Sequence, residues 1–204
     1  MGKFYPAIDL TIRQWIERQH MFFVGTAPLS GGGSVNISPK GHDTLRVLDD
    51  HTLAFLDYGG SGIETIAHLR ENGRIVIMMC AFDGPPKVYR FHGVGEVVTP
   101  LDKEFDALAG HFDRSVLGIR AVIRIRVTKI SDSCGFGVPL YQYQKQRDTS
   151  PNYIRVNGIE KIRIYLQTEN QESIDGLPGQ SGKEIDSYQG PAGSEVTDPT
   201  HPKK

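Results

Sequence analysis

The sequence predicts a mainly β protein (α+β) with a few short helices, whose strands close, or nearly close, into an antiparallel barrel. Three features of the 204-residue chain lead to this prediction. Strand-like apolar runs outnumber helical segments. They arrive in hairpin-like pairs rather than in the strand–helix alternation of a parallel sheet, and closing such a sheet removes its exposed edges. A chain of this length buries enough apolar surface to fold without disulfides or metals.

Hydrophobic periodicity places the individual elements. Residues 9–19 have the spacing of an amphipathic helix with Asp9 as its N-cap. A second helix follows the glycines at 59–62 and stops at Asn72-Gly73, and further helices are predicted at 101–109 and 157–169. The predicted strands are 21–26, 34–38, 45–48, 52–57, 74–81, 87–98 and 122–127, with a bulge at Gly93 or Gly95.

Composition and charge argue against several classes of function. The chain carries 23 Lys and Arg against 24 Asp and Glu, without the concentrated positive charge that binds nucleic acid. The longest apolar run, at 75–82, is far shorter than a membrane-spanning helix, and no apolar signal segment precedes the first helix. We therefore expect neither a nucleic-acid nor a membrane partner, and a cytoplasmic location. The histidines and the two cysteines lack metal-ligand spacing, so we expect free thiols and no metal site.

One candidate anion site lies where the second strand ends. Residues 35–41 finish in Ser38-Pro39-Lys40-Gly41, which offers a hydroxyl, a cation and a flexible backbone. The alternative is an ordinary turn with a solvated lysine. Taken alone, this segment favours the alternative.

A second candidate is the glycine-rich loop between Tyr58 and the following helix. Gly60 and Ser61 lie in this loop, and Thr65 lies in the first turn of the helix. Free backbone N–H groups and the helix dipole favour an anion at such a place. Alternatively, Ser61 serves only as the helix N-cap, with Glu64 completing a capping box.

A third segment, Ser133-Cys134-Gly135-Phe136-Gly137-Val138-Pro139, follows the last strong strand. Glycines on both sides of an aromatic residue permit close approach of the backbone to a flat ligand. A rim loop in which Phe136 covers the end of the barrel is an equally good interpretation.

Taken together, these segments resemble the pyridoxamine 5′-phosphate oxidase-like family of FMN-binding split barrels. The resemblance lies in the order of the parts over residues 8–130, and segments 79–82, 134–139 and 173–178 extend it to residue 178. It implies an FMN-binding split-barrel domain at residues 1–178. Residues 179–204 are polar and rich in Gly and Pro, which predicts a disordered C-terminal tail.

The resemblance also implies a homodimer that holds FMN at the subunit interface. By position, Lys40 and Arg46 are the basic residues expected at the phosphate, and Ser61 and Thr65 are the hydroxyl donors. The complete set of candidate cofactor-binding residues is Ser38, Lys40, Arg46, Tyr58, Gly60, Ser61 and Thr65.

Two departures from the oxidase pattern bear on function. Gly62-Ile63-Glu64 stands where the oxidase has a basic pair after the loop serine, so more of the phosphate grip falls to Lys40, Arg46 and backbone N–H groups. The oxidase's C-terminal Arg-x-His segment has no counterpart here, which argues against oxidation of pyridoxamine phosphate itself.

The resemblance therefore predicts an FMN-dependent oxidoreductase that acts on an unidentified small molecule. Hydride transfer at the flavin needs no dedicated acid or base, and the sequence offers no convincing catalytic constellation. Two alternatives stay open: a flavin-binding protein without turnover, used for sequestration or sensing, and a barrel that uses a deazaflavin or haem.

Overall fold

The computed structural model describes residues 2–113 and 118–188. Within these ranges the chain forms eight strands and five helices. The strands are β1 (Phe4–Tyr5), β2 (Phe22–Thr26), β3 (Asn36–Lys40), β4 (Leu45–Asp49), β5 (Thr52–Tyr58), β6 (Arg74–Cys80), β7 (Val88–Val98) and β8 (Ile119–Ser133). The helices are α1 (Leu10–Glu17), α2 (Glu64–Asn72), α3 (Phe105–Ala109), α4 (Thr149–Glu169) and α5 (Gly182–Asp186).

All strand pairs are antiparallel, in the order β3-β2-β6-β7-β8-β5-β4, and β1 adds to β8. Lys40 on β3, at one end of this order, contacts Asp57 on β5, near the other end. This contact shows that the sheet is curled. No backbone ladder joins β3 to β4 in the described part of the chain, so the barrel is open between them. The prediction of a split antiparallel barrel is confirmed.

The core is filled by the side chains that point inward from every second residue of the strands. Phe55, Phe91 and Ile123 have no exposed surface and pack with Ile12 and Ile16 of α1. Each such side chain contributes about 1.5–3 kcal/mol to stability through burial alone. The opposite face of β5 and β8 packs against α3 in a second, smaller cluster.

Several predicted boundaries are confirmed. Asp9 accepts a hydrogen bond from the Ile12 N–H (2.8 Å) and caps α1. Gly73 ends α2 in the left-handed conformation, with φ of 71°. Trp15 packs against the ring of Tyr89 at 4.9 Å, so it belongs to the core.

No helix among residues 2–113 and 118–188 has the length and hydropathy needed to cross a membrane.

The C-terminal part of the chain is more ordered than its composition predicts. Helix α4 begins eight residues before the predicted position 157 and is kinked at Gly158. Residues 182–186, within the predicted tail, form α5, whose Ser181 and Glu184 make a capping box. Ile185 and Tyr188 are buried against α4, which explains the order, because apolar contact offsets the entropy cost. Residues 189–204 of the predicted tail lie outside the described residues.

In the third segment, Phe136 is 81% exposed, so it does not cover the end of the barrel. The turn closes through the Val138 N–H, which donates to the Gly135 carbonyl at 2.9 Å.

A buried carboxylate, Asp132 on β8, fixes the N-terminal strand. It accepts hydrogen bonds from the Lys3 N–H (2.7 Å), the Tyr5 hydroxyl (2.8 Å) and Lys87 Nζ (2.7 Å). Burial opposes ionisation, but these donors outweigh it and lower the pKa of Asp132 to about 2.

This lowered pKa predicts a defined acid dependence of stability. The Asp132 contribution is fully present above its unfolded pKa of 3.8 and is lost as the pH falls towards about 2. Urea unfolding between pH 5 and pH 2 should therefore show a smaller fall in the free energy of unfolding for Asp132→Asn than for wild type. Tyr5→Phe, which removes one donor, should reduce that fall partially. Equal slopes for all three proteins would contradict the assignment.

The predicted bulge lies between His92 and Gly93, where the register of β7 against β8 shifts. A Cβ on Gly93 would approach the Arg126 carbonyl oxygen to 2.3 Å. We expect Gly93→Ala to lower the free energy of unfolding by about 1–3 kcal/mol, because backbone must move. The control is Gly137→Ala, where a Cβ meets nothing within 4 Å. Chemical denaturation should separate the two variants, and equal stabilities would contradict the packing argument.

Candidate functional site

The site is built around a single buried carboxylate. Asp57 has no exposed surface, although it lies at the end of the apolar strand β5. Its Oδ1 accepts from Lys40 Nζ at 2.9 Å, and its Oδ2 accepts from Arg120 Nε and Nη2 at 2.9 and 2.6 Å. β3, β5 and β8 thus meet at one ion cluster, formed by Lys40, Asp57 and Arg120.

The ion cluster carries one net positive charge, since two cations face one carboxylate. Burial works against ionisation of Asp57, but the charges of Arg120 and Lys40 hold its pKa below the usual range. Arg120 is itself 3% exposed, whereas the Lys40 side chain is 24% exposed. Lys40 is therefore the member of the cluster that can meet a ligand.

The glycine-rich loop, residues 59–62, is held by side chains that donate hydrogen bonds to two of its carbonyl groups. Arg120 Nη1 donates to the Gly62 carbonyl at 3.0 Å, and Asn170 Nδ2 donates to the Gly60 carbonyl at 2.8 Å. Arg120 also donates to Asn170 Oδ1, which joins the two supports. The N–H groups of Gly60, Ser61 and Gly62 have no acceptor within the described part of the chain. The N–H groups of residues 60–62 are therefore free, whereas the carbonyls of Gly60 and Gly62 are bound and the Gly59 N–H donates to the Gly118 carbonyl at 3.0 Å.

Ser61 does not cap the following helix. Helix α2 has Ile63 at the N-cap position and no side-chain cap, and Ser61 is exposed. The alternative interpretation, a Ser61 cap completed by Glu64, is therefore wrong, because the Glu64 side chain makes other contacts. Its Oε1 accepts from the Ile174 N–H at 3.0 Å, and its Oε2 lies 3.7 Å from His68 Nε2. The Glu64 carboxylate is thus directed to Ile174 and His68.

Ser38 and Thr65 join a polar network beside the loop. Ser38 Oγ donates to Asn36 Oδ1 at 2.9 Å, and Asn36 Nδ2 donates to the hydroxyls of Thr65 (3.2 Å) and Thr26 (3.1 Å). The Thr26 hydroxyl lies 2.9 Å from Nδ1 of the buried His68. Asn36 therefore connects strand β3 to the first turn of α2.

Arg46 and Tyr58 lie on the opposite face of the sheet. Successive residues of a strand alternate between faces, so Tyr58 points away from Asp57 and packs with the second cluster. Arg46 forms a two-pronged ion pair with Asp43 (2.8 Å for each nitrogen) and lies over the ring of Phe112. Of the predicted set, the structure brings together Ser38, Lys40, Gly60, Ser61 and Thr65, and it places Arg46 and Tyr58 apart.

The hydroxyl group of Tyr58 is buried without a hydrogen-bond partner among the described residues. Burial raises the pKa of Tyr58, and the negative charges of Asp113 and Asp43 raise it further. At neutral pH this phenol is protonated and takes no part in the ion cluster.

Comparison with known proteins identifies the family of the chain. The family model described as pyridoxamine 5′-phosphate oxidase matches residues 8–134, which include the ion cluster and the glycine-rich loop. The pyridoxamine 5′-phosphate oxidase family protein ustO of Aspergillus flavus is 37% identical over 198 aligned residues, 88% of this chain and 78% of that protein. The chain belongs to the pyridoxamine 5′-phosphate oxidase family.

Two solved structures are similar to part of the chain. HupZ from Group A Streptococcus, crystallised as a variant, has a TM-score of 0.50 and 26% identity, and covers 62% of this chain and 99% of its own. A protein described as FMN-binding, from Syntrophomonas wolfei, has a TM-score of 0.45 and 18% identity over 64% of this chain and 85% of its own.

Three residues of the site, Asp57, Arg120 and Asn170, were not among those predicted from the sequence. Asp57 and Arg120 are charged residues at the ends of apolar strands, a signal that marks buried ion pairs when two such strands meet. Only the pairing of β5 with β8 identifies them as partners. Asn170 follows α4, far beyond the segments that define the site, and its sequence context carries no signal.

The ion cluster predicts a large stability effect at Asp57. Asp57→Asn leaves the buried Arg120 without its carboxylate and should lower the free energy of unfolding by about 3–5 kcal/mol. Asp43→Asn is the matched control, because the Asp43 side chain is 82% exposed and its pair with Arg46 contributes at most about 1 kcal/mol. Equilibrium denaturation near pH 7 measures both. An Asp57 variant as stable as the Asp43 variant would contradict the cluster's central role.

Proposed function

We propose that this chain binds FMN and acts as an FMN-dependent oxidoreductase on a small molecule. The observation that carries the proposal is the state of the glycine-rich loop. The carbonyls of Gly62 and Gly60 are occupied by Arg120 and Asn170, while the N–H groups of residues 60–62 remain available. Available N–H groups at the start of a helix are a general binding arrangement for phosphate.

The charges around the loop also fit a phosphate. Lys40 presents a partly exposed ammonium group on the same ion cluster that supports the loop. Glu64, which would repel a phosphate if it faced the loop, is turned towards Ile174 and His68. The proposed phosphate site therefore consists of one cation, Lys40, and the neutral N–H groups of residues 60–62. They stand in place of the basic pair that the oxidase carries after its loop serine.

The protein contributes position more than acid–base chemistry. A bound flavin accepts or donates hydride, and the surrounding residues orient it and exclude water. Among the described residues, no group of three or more His, Cys, Asp and Glu is arranged to hold a metal ion. The polar network from Ser38 to His68 is suited to holding β3 and α2 at a fixed spacing beside the loop.

We further propose a homodimer with the flavin between two copies, as the family resemblance implies. Strand β3 ends the sheet and presents exposed apolar side chains: Val35, just before it, is 71% exposed and Ile37 is 68% exposed. An unpaired edge strand with such side chains favours association with another chain. Sedimentation of the purified protein tests this part of the proposal independently of cofactor binding.

The direct test is the visible spectrum of the purified protein and the identity of any cofactor released by heat. A two-banded flavin spectrum with about one FMN per chain supports the proposal. Anaerobic reduction of that flavin by a nicotinamide cofactor, followed by reoxidation, supports turnover. A flavin that is bound but never reduced indicates a sequestering or sensing protein. A protein that binds a deazaflavin or haem in place of FMN contradicts the cofactor assignment.

The proposed role of Lys40 gives a specific prediction. Lys40→Met removes the partly exposed cation of the ion cluster and should weaken FMN binding by roughly tenfold or more, since a charge-assisted hydrogen bond is lost. Lys103→Met, at an exposed position, is the control and should bind FMN like wild type. Flavin fluorescence titration of the cofactor-free proteins measures the dissociation constants. Equal affinities for the two variants would contradict the placement of the phosphate.

A further inference from the structure

Lys40 also lines a cleft whose other lining residues lie outside the ion cluster and the glycine-rich loop. This cleft of about 620 Å³ lies between the end of α1, the exit of β3, Phe82 and residues 141–147. We call residues 140–147 the strap, because this segment crosses the molecule without helix or strand. A site of this size is in the range that holds a small molecule or cofactor. The proposed function does not use it.

The strap is held in place by two stacked pairs of rings. Tyr141 stacks on Phe82 with ring centroids 5.3 Å apart, and its N–H donates to the Phe82 carbonyl at 2.8 Å. Tyr143 stacks on His20 at 3.6 Å and 13°, and Gln146 Nε2 donates to the His20 carbonyl at 3.1 Å. All four of these rings line the cleft.

The same rings are open to solvent. Tyr141 is 63% exposed and Tyr143 is 46% exposed, although each has an aromatic partner. Exposed and pre-ordered aromatic faces are the usual platform for stacking a flat ring, because little side-chain entropy remains to be lost. The cleft is therefore suited to a planar ligand.

The charge of the cleft selects among planar ligands. Its lining includes four cations, Arg18, Lys40, Lys145 and Arg147, and one carboxylate, Asp83. Lys145 lies 3.9 Å from Asp148 and is partly compensated. Of the remaining cations, Arg147 lies on the strap itself, four residues from Tyr143. A ligand that stacks on the strap can thus place an anionic group against a guanidinium.

We propose that this cleft binds a planar aromatic anion as the second reactant beside the flavin. This step rests on the proposed function, because Lys40 belongs to both the cleft and the ion cluster and so places the two ligands side by side. Two sources share this chemistry: a nicotinamide dinucleotide as electron donor, and an aromatic acid as substrate. The cleft recognises in both a flat ring and a nearby negative charge.

The test uses probes that differ only in charge. Indole-3-acetate and indole-3-acetamide have the same ring and nearly the same shape, and isothermal titration of the protein with and without FMN measures their binding. We expect the acetate to bind about tenfold more tightly than the amide, because the rim of the cleft is cationic. Equal binding of the two probes overturns the proposal.

Variants of the strap locate the binding. Tyr143→Leu should weaken both probes about tenfold, since a stacking platform is lost. Arg147→Gln should weaken indole-3-acetate and leave indole-3-acetamide unchanged. Phe136→Leu is the control, because Phe136 is 81% exposed and lies outside the cleft. All three positions are exposed, and thermal denaturation verifies that the variants remain folded. Binding that none of the strap variants alters overturns the proposal.

Competition separates the remaining outcomes. NADH that displaces indole-3-acetate identifies the cleft as a donor site, and NADH without effect identifies it as a site for an aromatic acid. If FMN displaces the probe one for one, the cleft is the flavin site and the proposal is overturned. A protein that binds FMN but neither probe nor NADH overturns this proposal alone. A protein that binds the probe but not FMN contradicts the proposed function, and the role of the ligand as a second reactant is then overturned with it.

Discussion

Much of the molecule is organised around the carboxylate of Asp57. A buried charge is stable only if partners neutralise it, and here the partners come from β3 and β8. Lys40 reaches Asp57 across the open side of the barrel, and Arg120 reaches it from the neighbouring strand. The ion pair with Arg120 is buried, so it does not add much stability over an apolar pair, but it fixes which segments meet. The position of the glycine-rich loop follows, because Arg120 also binds the Gly62 carbonyl.

The C-terminal third of the described chain takes part in this arrangement. Asn170 holds the Gly60 carbonyl, and a Cβ on Gly179 would lie 2.4 Å from the Asn170 carbonyl oxygen, so the chain passes very close there. Asp175 accepts hydrogen bonds from the backbone and the hydroxyl of Ser34, which join the same segment to the approach of β3. The family model ends at residue 134, and the support of its loop extends beyond it.

The glycine-rich loop offers free N–H groups at residues 60–62, and Lys40 is the only partly exposed cation of the ion cluster that supports it. Neutral N–H groups in a fixed geometry bind a phosphate without the desolvation cost of a second cation. Glu64 would be unfavourable beside a phosphate, but the Ile174 N–H gives its carboxylate a hydrogen-bond donor from a distant segment. This arrangement is the physical basis of the proposed phosphate binding without the oxidase's basic pair.

The sequence by itself determined the positions of α1, α2 and strands β2 to β7 within a few residues, the Asp9 cap, a bulge at Gly93 or Gly95 and the location of the loop. These features depend on local periodicity and on backbone conformations that particular residues favour. The tertiary structure alone decided which candidate residues meet. Strand alternation sends Arg46 and Tyr58 to the opposite face, and pairing of β5 with β8 joins Asp57 to Arg120 across 63 positions. It also gave Ser61 no capping role and ordered residues 182–188, because contacts distant in sequence, such as those of Glu64 and Tyr188, outweigh local propensity.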